Sequence, residues 1–452
     1  MRTSLLALLW LGACTATSDD SGEDSDTGTD TESMDDTDDT DDTDDTDDTD
    51  DTDDTDDTDD TDDTDEPDVP QHYDDIKPGH WGIVSRAPDD PACLTEDPRV
   101  GCLVVDIDPC PTRDCSFSAN LGQRSVIDAW NGGAFGETHG ALGTYFLWGG
   151  GHEGYYGNEV YRFDVQDRLW RRNDPNTNFD GYNATYGEFA DGRPMVPHTY
   201  SLSNFAPSLG REGSFIAFNA ASVPGVGGAH RSWAHAYDPL TDTWTRHDEA
   251  LTAITGAGSA YDPTRDLFWL VPGNVSSIKN LQSHDPSAPA GSQVKTYADA
   301  RFSIDINQAV APELDLLVVF DFRSSNTASA IDLSDPNSGF TKLTTSGDKT
   351  IESHGQLGVQ WVSKMRGGKG AFVAFSGRGS SSVFVLSPPH GDWKTETWTW
   401  TEEVGLGATP QSMRNGISGR IYNRWQWAPS VGVFLLTQRT DGPMYAYKPI
   451  LD

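Results

Sequence analysis

The sequence predicts an all-β fold built from repeated four-stranded units, and three observations lead to this prediction. From Gly79 onward the chain is rich in Gly, Trp, Tyr, Thr and Val, with no long apolar stripe of helical period. Residues 145–170, YFLWGGGHEGYYGNEVYRFDVQDRLW, read as strand, glycine turn, strand, aspartate and tryptophan. Parts of that pattern then recur along the chain, which indicates a repeat architecture.

The repeats are marked by the third strand of each unit. In its clearest form this strand shows an apolar or aromatic pair before aspartate. Copies of decreasing quality fall at Asp164, Asp238, Asp285, Asp332, 383–387 and 445–448. Four-stranded units repeated in this way are typical of a β-propeller, in which blades surround a central channel. We therefore predict six blades over residues 126–452, or seven if residues 85–125 hold another.

The last repeat, YAYKPILD, stops before its outer strand. A ring left open at this point would expose a strand edge that invites pairing with other chains. Residues 80–84, HWGIV, have the composition of a strand. We expect them to complete the last blade and close the ring.

Four cysteines follow the predicted closing strand, namely Cys93, Cys102, Cys110 and Cys115. Their spacing does not match a zinc ribbon. In an exported chain four cysteines predict two disulfides, with three pairings open. We assign residues 69–125 to the closing strand and a disulfide-stapled insertion.

Residues 1–13 have the features of an export signal, with Arg2 before a short apolar run. The sequence Leu11-Gly12-Ala13-Cys14 resembles the lipobox of bacterial lipoproteins, in which the cysteine is lipidated. This resemblance implies lipidation at Cys14 and a location at the bacterial outer membrane or cell surface. Membrane contact is then expected through the lipid anchor alone.

Residues 14–68 form a tether dominated by Asp-Asp-Thr repeats, and we expect it to be disordered. Residues 15–68 hold 30 acidic side chains and no Lys or Arg, which leaves 42 acidic against 30 basic residues in 69–452. A net negative propeller argues against nucleic acid as a partner. We expect a monomer.

Polar side chains on or near the innermost strands are the candidate functional residues, because those strands line the channel. The expected inner strands are approximately 126–135, 198–206, 257–262, 302–310, 354–361 and 420–428. They offer Asn131, His198, Tyr200, Asn307, His354, Gln356, Arg424 and Gln426, and the loop after the second strand of the first blade adds His152, Tyr155 and Tyr156. Imidazole, phenol, amide and guanidinium groups together suit a hydroxylated or carboxylated ligand.

Each of these residues also has a purely structural interpretation. The glycines before His152 serve a tight strand exit in any such blade. His198 and Tyr200 alternate on a predicted strand, so both should face the same way and could simply bond to one another. Arg424 lies between two tryptophans and could stack on them.

Over about residues 79–452 the repeats resemble the kelch and galactose-oxidase-like propellers. GGGHEGYYGNEVYRFD followed by DGRPMVPHTY is similar to secreted polysaccharide lyases of the ulvan-lyase type. That resemblance implies a site of histidines, a tyrosine and an arginine around a uronic acid. By position, His152 matches the histidine that follows the glycines in these lyases, and Tyr200 matches the tyrosine of the next inner strand. Asn131 stands where the lyases have a second histidine, and Asn219 stands where they have an arginine.

The lyase resemblance implies a catalytic set of His152, Tyr200 and Asn131. The arginine expected in the lyase site would then be supplied by a loop, as either Arg211 or Arg231. The wider substrate-binding set would comprise His198, Tyr155, Asn219, Arg231, His354 and Arg424.

The favoured function is recognition of an extracellular glycan at the channel mouth. One alternative is a polysaccharide lyase that cleaves a uronic-acid polymer by β-elimination. Another is a protein-binding scaffold, which predicts an apolar rim and a channel plugged by large side chains. The sequence identifies no cofactor with certainty, although some lyases of the resembled type carry a structural metal.

A weak candidate for Ca²⁺ or another structural divalent metal lies in the insertion after the first blade. Alternating oxygen donors there are Asp174, Asn176, Asn178 and Asp180. Turns of this composition are also common without any metal.

Overall fold

The structure is a computed structural model, and most of the chain after residue 70 can be described. The described residues are 71–118, 121–151, 154–175, 188–220, 231–252, 256–273, 279–323, 325–377, 380–412 and 421–451. The leader, Cys14 and the acidic tether lie outside these ranges. Within them, no helix has both the length and the apolar character needed to cross a membrane.

Strands dominate the structure, and they group into six mainly antiparallel sheets. The strands of the first half are β1 (His80–Ile83), β2 (Val100–Gly101), β3 (Gly133–Gly136), β4 (Thr144–Leu147), β5 (Tyr161–Asp164), β6 (Leu169–Arg172), β7 (Ser203–Ala206), β8 (Ser214–Ala220), β9 (Arg231–Asp238), β10 (Thr243–Thr252), β11 (Gly258–Asp262), β12 (Leu267–Val271), β13 (Asn280–His284) and β14 (Val294–Asp299). Those of the second half are β15 (Asn307–Ala311), β16 (Leu316–Asp321), β17 (Thr327–Asp332), β18 (Thr341–Lys342), β19 (Thr345–Gly347), β20 (Gly358–Val362), β21 (Ala371–Phe375), β22 (Val383–Ser387), β23 (Trp398–Glu403), β24 (Leu406–Gly407), β25 (Gln426–Ala428), β26 (Val433–Leu436) and β27 (Tyr445–Lys448).

Helical segments are few and short among the described residues. The α-helices are α1 (Ser125–Asp128) and α2 (Met365–Gly368), and the 3₁₀ turns are Val105–Ile107, Gly122–Arg124, Pro312–Leu314, Lys349–Ser353 and Tyr422–Arg424. The prediction of an all-β fold is confirmed.

The six sheets are the blades of a propeller. From the channel outward they contain β3 to β6, β7 to β10, β11 to β14, β15 to β18, β20 to β23, and β25 to β27 followed by β1. Each inner strand packs against the inner strand of the next blade, and β25 packs against β3, so the ring is closed. The predicted third strands are all present, and the described residues hold no seventh blade.

Ring closure occurs as predicted. Strand β1 pairs antiparallel with β27, with His80 opposite Lys448 and Ile83 opposite Tyr445. The short β24 then pairs parallel with β1. The N-terminal strand therefore protects the edge that β27 would otherwise expose.

Six apolar clusters hold the ring together, one between each pair of neighbouring blades. Middle strands such as β16 and β21 are buried along their whole length, because blades cover both of their faces. The outer strand β23 instead alternates, with Trp398 and Trp400 buried and Thr399 and Thr401 exposed. Burial thus decreases from the middle strands to the outer edge.

The cysteine-rich insertion contains two disulfides, as predicted, and the structure shows one of the three possible pairings. The disulfides are Cys93–Cys102 and Cys110–Cys115. Strand β2 adds to the edge of the first blade by pairing with β6. Val104, Ile107 and Phe117 are buried in the cluster between the last and first blades, so the insertion seals the junction where the ring closes.

Candidate functional site

Each inner strand is preceded by one residue with left-handed backbone geometry. These lead-in residues are Trp130, Tyr200, Gly256, Asp305, Gln356 and Tyr422, with φ between 47° and 67°. Glycine adopts this geometry freely, whereas other residues are strained by roughly 1 kcal/mol. Five blades nevertheless carry a larger side chain there, and strain of this kind concentrates at functional sites. The ring of lead-in residues is therefore the primary candidate site.

Aromatic rings from three blades form a line across the lead-in end of the channel. The ring centroids of Trp130 and His198 lie 4.9 Å apart, those of His198 and Tyr200 5.9 Å, and those of Tyr200 and Tyr422 5.7 Å. All three contacts are edge-to-face, a favoured geometry for aromatic pairs. Trp130, His198 and Tyr200 are half-buried and offer ring surface and polar atoms together, whereas Tyr422 is fully buried at the end of the line.

A carboxylate lies at the end of this line. Asp305 is buried and accepts hydrogen bonds from the Tyr422 hydroxyl at 3.1 Å and from Gln356 Nε2 at 2.6 Å. Its Oδ2 also pairs with Arg323 Nη1, and the Arg323 side chain is 44% exposed. The ion pair leaves part of a guanidinium facing solvent beside a fully bonded carboxylate. The set of Trp130, His198, Tyr200, Asp305, Arg323, Gln356 and Tyr422 is called the mouth site below.

His198 is held in a defined tautomer. Its Nδ1 lies 2.6 Å from the carbonyl oxygen of Ala129, which can only accept a hydrogen bond. The neutral ring therefore carries its proton on Nδ1 and its lone pair on Nε2. A half-buried imidazole oriented in this way can accept a proton from a ligand.

The glycine run before His152 makes room for the neighbouring side chains. A Cβ on Gly149 would lie 2.4 Å from Asn131 Oδ1, and a Cβ on Gly151 would lie 1.9 Å from His198 Cε1. The amides of Gly150 and Gly151 also donate to the carbonyl of Pro197. These glycines thus permit close approach of the first two blades, in addition to a tight turn. His152 itself lies outside the described residues, as does its predicted catalytic role.

Asn131 and Arg424 are placed differently from the sequence-based expectation. Asn131 is fully buried, donates to the Ser125 carbonyl at 2.6 Å and accepts from the Thr199 amide at 2.8 Å. Arg424 is also fully buried and donates to the carbonyls of Ile127, Asn131 and Thr437. Burial lowers the pKa of its guanidinium. The geometry gives both side chains a positioning role, in which they bond to backbone groups of neighbouring segments.

Tyr155 belongs to the apolar junction under the insertion, away from the mouth site. It is fully buried, and its hydroxyl and that of Tyr161 both donate to the carboxyl group of Glu159. Burial raises the pKa of Glu159 and of both phenols. This cluster stabilises the core, so the expectation that Tyr155 binds substrate is not supported by its position.

In most blades the inner strand begins later in the chain than expected. Several polar candidates therefore lie before an inner strand and not on it. His198 and Tyr200 precede β7 at Ser203, and His354 and Gln356 precede β20. His198 and Tyr200 do meet, but through ring contact on a bent segment and not through strand alternation. His354 is half-buried on the same lead-in segment as Gln356.

Two further candidates fall where only the backbone is described. Asn219 lies on β8 and Arg231 begins β9, but their side chains are outside the described part of the structure. Their predicted binding roles therefore remain predictions.

The calcium candidate is described only at Asp174. Its carboxylate lies 3.4 Å from Arg172 and 3.7 Å from Arg99, and these cations compete with a metal for its oxygens. Asn176, Asn178 and Asp180 lie outside the described residues. Across the described ranges, three candidate metal ligands come together only at Cys110, Asp114 and Cys115, and the two cysteines there are disulfide-bonded.

Four mouth-site residues were not predicted as site residues from the sequence: Trp130, Asp305, Arg323 and Tyr422. Three of them are lead-in residues, and each lies two to four positions before an inner strand. This short offset is a usable signal once the inner strands are located. Arg323 follows a second strand, β16, and carries no comparable pattern.

Comparisons with known proteins give limited information. No protein-family model matches the chain, and no curated protein matches it. Among solved structures, the chain is similar to a high-resolution structure of Penicillium chrysogenum α-L-arabinanase complexed with arabinobiose. The TM-score is 0.42 and the identity 10%, over 74% of this chain and 96% of that chain. The propeller assignment follows from the six sheets themselves.

Proposed function

We propose that the protein recognises an extracellular glycan at the mouth site. The observation that carries this proposal is the line of aromatic rings leading to Asp305, with Arg323 and Gln356 beside it. A sugar presents C–H faces that pack on aromatic rings and hydroxyls that exchange hydrogen bonds with charged and amide groups. The mouth site brings both kinds of partner together.

We further propose that the propeller works outside the cytoplasm, held at the cell surface by a lipid on Cys14. The export-type leader and the acidic tether support this location. The two disulfides support it as well, because such bonds persist in oxidising compartments.

Glycan recognition is tested by titrating the purified protein with polygalacturonate, alginate, xylan and starch in a calorimeter. We expect at least one polymer to bind, and Trp130→Ala and Tyr200→Ala each to weaken that binding at least tenfold. Trp393→Ala, on the outer part of the fifth blade, is the matched aromatic control and should leave affinity unchanged. Absence of binding to the whole panel, or equal loss in all three variants, would contradict the proposal.

Lyase activity is the second candidate, because His198 and Tyr200 lie in contact and His198 Nε2 carries the lone pair. His198 or Tyr200 would remove the C5 proton of a uronate. The C4–O bond would then break, a C4=C5 double bond would form, and the departing oxygen would take a proton. Arg323, the exposed cation of the mouth site, is the group available to offset the substrate carboxylate.

The two candidates are separated by looking for unsaturated products through their ultraviolet absorbance. If the protein is a lyase, Tyr200→Phe should abolish product formation and retain most of the binding. If uronate polymers bind and wild-type protein yields no new absorbance, recognition without cleavage is the correct function.

A further inference from the structure

The far end of the channel forms a separate cavity, distinct from the mouth site. Its volume is about 450 Å³, within the range of small-molecule pockets. It opens where the inner strands end, next to Pro207, Pro263, Pro312 and Pro429. The lead-in residues lie at the opposite ends of the same strands. This space is called the channel cavity below.

Side chains from the sixth blade close the inner end of the channel cavity. Tyr422 reaches Asp305 of the fourth blade and Tyr200 of the second. Asn423 Nδ2 donates to the carbonyls of Ser201 and Ser203, at 3.2 and 2.9 Å. These contacts span the channel, so a ligand in the cavity cannot continue into the mouth site.

Amide side chains on four inner strands contribute to the cavity's polar wall: Asn204, Gln308, Gln360 and Gln426. The amide nitrogens of three of them are already engaged. Asn204 donates to the Ser259 hydroxyl, Gln308 to the Trp269 carbonyl at 2.8 Å, and Gln426 to the Asn423 carbonyl at 2.6 Å. Asn204 and Gln426 each donate two hydrogen bonds, so their remaining capacity lies in the carbonyl oxygens, which are acceptors.

Gln308 carries an acceptor oxygen that no group among the described residues uses. The side chain is 3% exposed, and its Oε1 has no hydrogen-bond partner among the described residues. A buried acceptor without a partner carries an energetic cost. That oxygen is enclosed by the protein, so the cavity acceptors open to a ligand hydroxyl are those of the half-buried Asn204 and Gln360.

The positions of the charged residues around the cavity indicate which class of ligand it can bind. Glu137 and Lys364 are the charged residues among those that line it, and both are exposed. An ionised ligand group deeper in the cavity would lack a counter-charge, which is strongly unfavourable. Aromatic side chains from five blades complete the lining: Phe135, Phe205, Tyr261, Trp361 and Trp427.

Two of these aromatic rings are fixed by their polar ends. The Tyr261 hydroxyl donates to Asp266 at 2.8 Å, and the Trp361 indole donates to Glu313 at 2.6 Å. Their carbon surfaces are thus held in place for packing against C–H groups, with little conformational freedom left to lose on binding.

We propose that the channel cavity is a second carbohydrate site, which takes an uncharged saccharide or the uncharged end of a glycan chain. Acceptor oxygens receive the sugar hydroxyls, and the aromatic lining packs on the ring carbons. The closed inner end admits a chain terminus and excludes a chain passing through. This site is independent of the mouth site and does not rest on its proposed function.

The test uses purified full-length protein and saturation-transfer NMR with glucose, galactose, xylose and N-acetylglucosamine. Glucose and glucuronate form a matched pair, since they differ only at C6. We expect at least one neutral sugar to bind, and each neutral sugar that binds to do so at least tenfold more tightly than its uronate counterpart. Gln360→Leu and Trp427→Ala should each reduce that affinity at least tenfold.

Variants of the mouth site keep the two proposals distinguishable. Trp130→Ala should leave neutral-sugar binding unchanged, and Trp427→Ala should leave polymer binding at the mouth unchanged. The far-ultraviolet spectrum and melting temperature confirm that each variant is folded. The proposal is overturned if no neutral sugar binds at millimolar concentration, if uronates bind as well, or if Trp130→Ala abolishes the binding.

Discussion

The hydroxyl of Tyr422 donates a hydrogen bond of 3.1 Å to Asp305, which lies 117 positions earlier in the chain and two blades away. The bond crosses the channel and divides it into the mouth site and the channel cavity. Gln356 of the intervening blade bonds to the same carboxylate. One carboxylate therefore links the fourth, fifth and sixth blades at the centre of the ring.

Tyr422→Phe removes this bond and leaves the aromatic ring in place. Hydrogen bonds to charged groups contribute roughly 1.5–3 kcal/mol, so we expect a loss of about that size in the free energy of unfolding. Urea denaturation followed by tryptophan fluorescence measures it. Tyr297→Phe, at a partly exposed phenol on an outer strand, is the control and should change stability by less than about 0.5 kcal/mol.

Removal of Trp81 tests ring closure. Trp81 lies on β1, is 1% exposed, and contacts the rings of Phe375, Trp425 and Tyr447. Trp81→Ala should cost about 3–5 kcal/mol of unfolding free energy, as for other large-to-small core changes. Because a loosened β1 exposes the edge of β27, we also expect soluble oligomers in light scattering. A monomeric variant of wild-type stability would show that β1 does not hold the ring closed.

The third strands and the closing strand were predictable from the sequence because each has a local signal. Val383–Ser387 and Tyr445–Lys448 were placed at their observed bounds, and the pairing of β1 with β27 followed from the missing outer strand. The site was less predictable, because it depends on which blades face each other across the ring. Asp305 and Tyr422 have no local pattern that relates them.

Polar residues near the inner strands were also ambiguous from sequence alone. A polar side chain there can face the channel or bond to a neighbouring backbone carbonyl, and strand periodicity does not separate the two. Asn131 and Arg424 bond to backbone groups, whereas Tyr200 and Gln356 reach the mouth site. The left-handed lead-in geometry, which only the structure reveals, distinguishes the second pair.

Acid should destabilise the protein partly through His284. Burial, together with the nearby His247, lowers the pKa of His284 to about 3, although Asp248 and Asp285 oppose the shift. The unfolded chain, with an ordinary pKa near 6.5, therefore binds the proton more tightly, and stability falls as the pH drops below about 6.5 towards 3. His284 alone should contribute a loss of about 2 kcal/mol between pH 7 and pH 5.

His284→Leu isolates this contribution, because it keeps an apolar side chain beside Phe218 and removes the titrating group. Urea denaturation of both proteins from pH 7 to pH 5 gives the comparison. We expect the wild-type free energy of unfolding to fall by about 2 kcal/mol more than that of the variant. Parallel curves for the two proteins would show that His284 does not remain neutral in the folded state.

The glycine next to His152 offers the most selective test of the mouth site, because a matched glycine exists elsewhere. Gly151 and Gly432 both have φ of 67°, but a Cβ on Gly151 would lie 1.9 Å from His198, whereas a Cβ on Gly432 has no neighbour within 4 Å. Both alanine variants carry the same backbone strain, of roughly 1 kcal/mol. Only Gly151→Ala should also displace His198, and we expect a further stability loss of about 1–3 kcal/mol and a weakening of glycan binding at the mouth.

A double variant separates the clash with His198 from any other effect of Gly151→Ala. His198→Ala removes the ring that the new methyl group would strike, so the two changes should be non-additive when the atoms are in contact. We expect Gly151→Ala to cost about the same as Gly432→Ala once His198 is alanine, as measured by urea denaturation. Additive losses would mean that the glycine run is required for its turn alone, and that His198 is positioned without it.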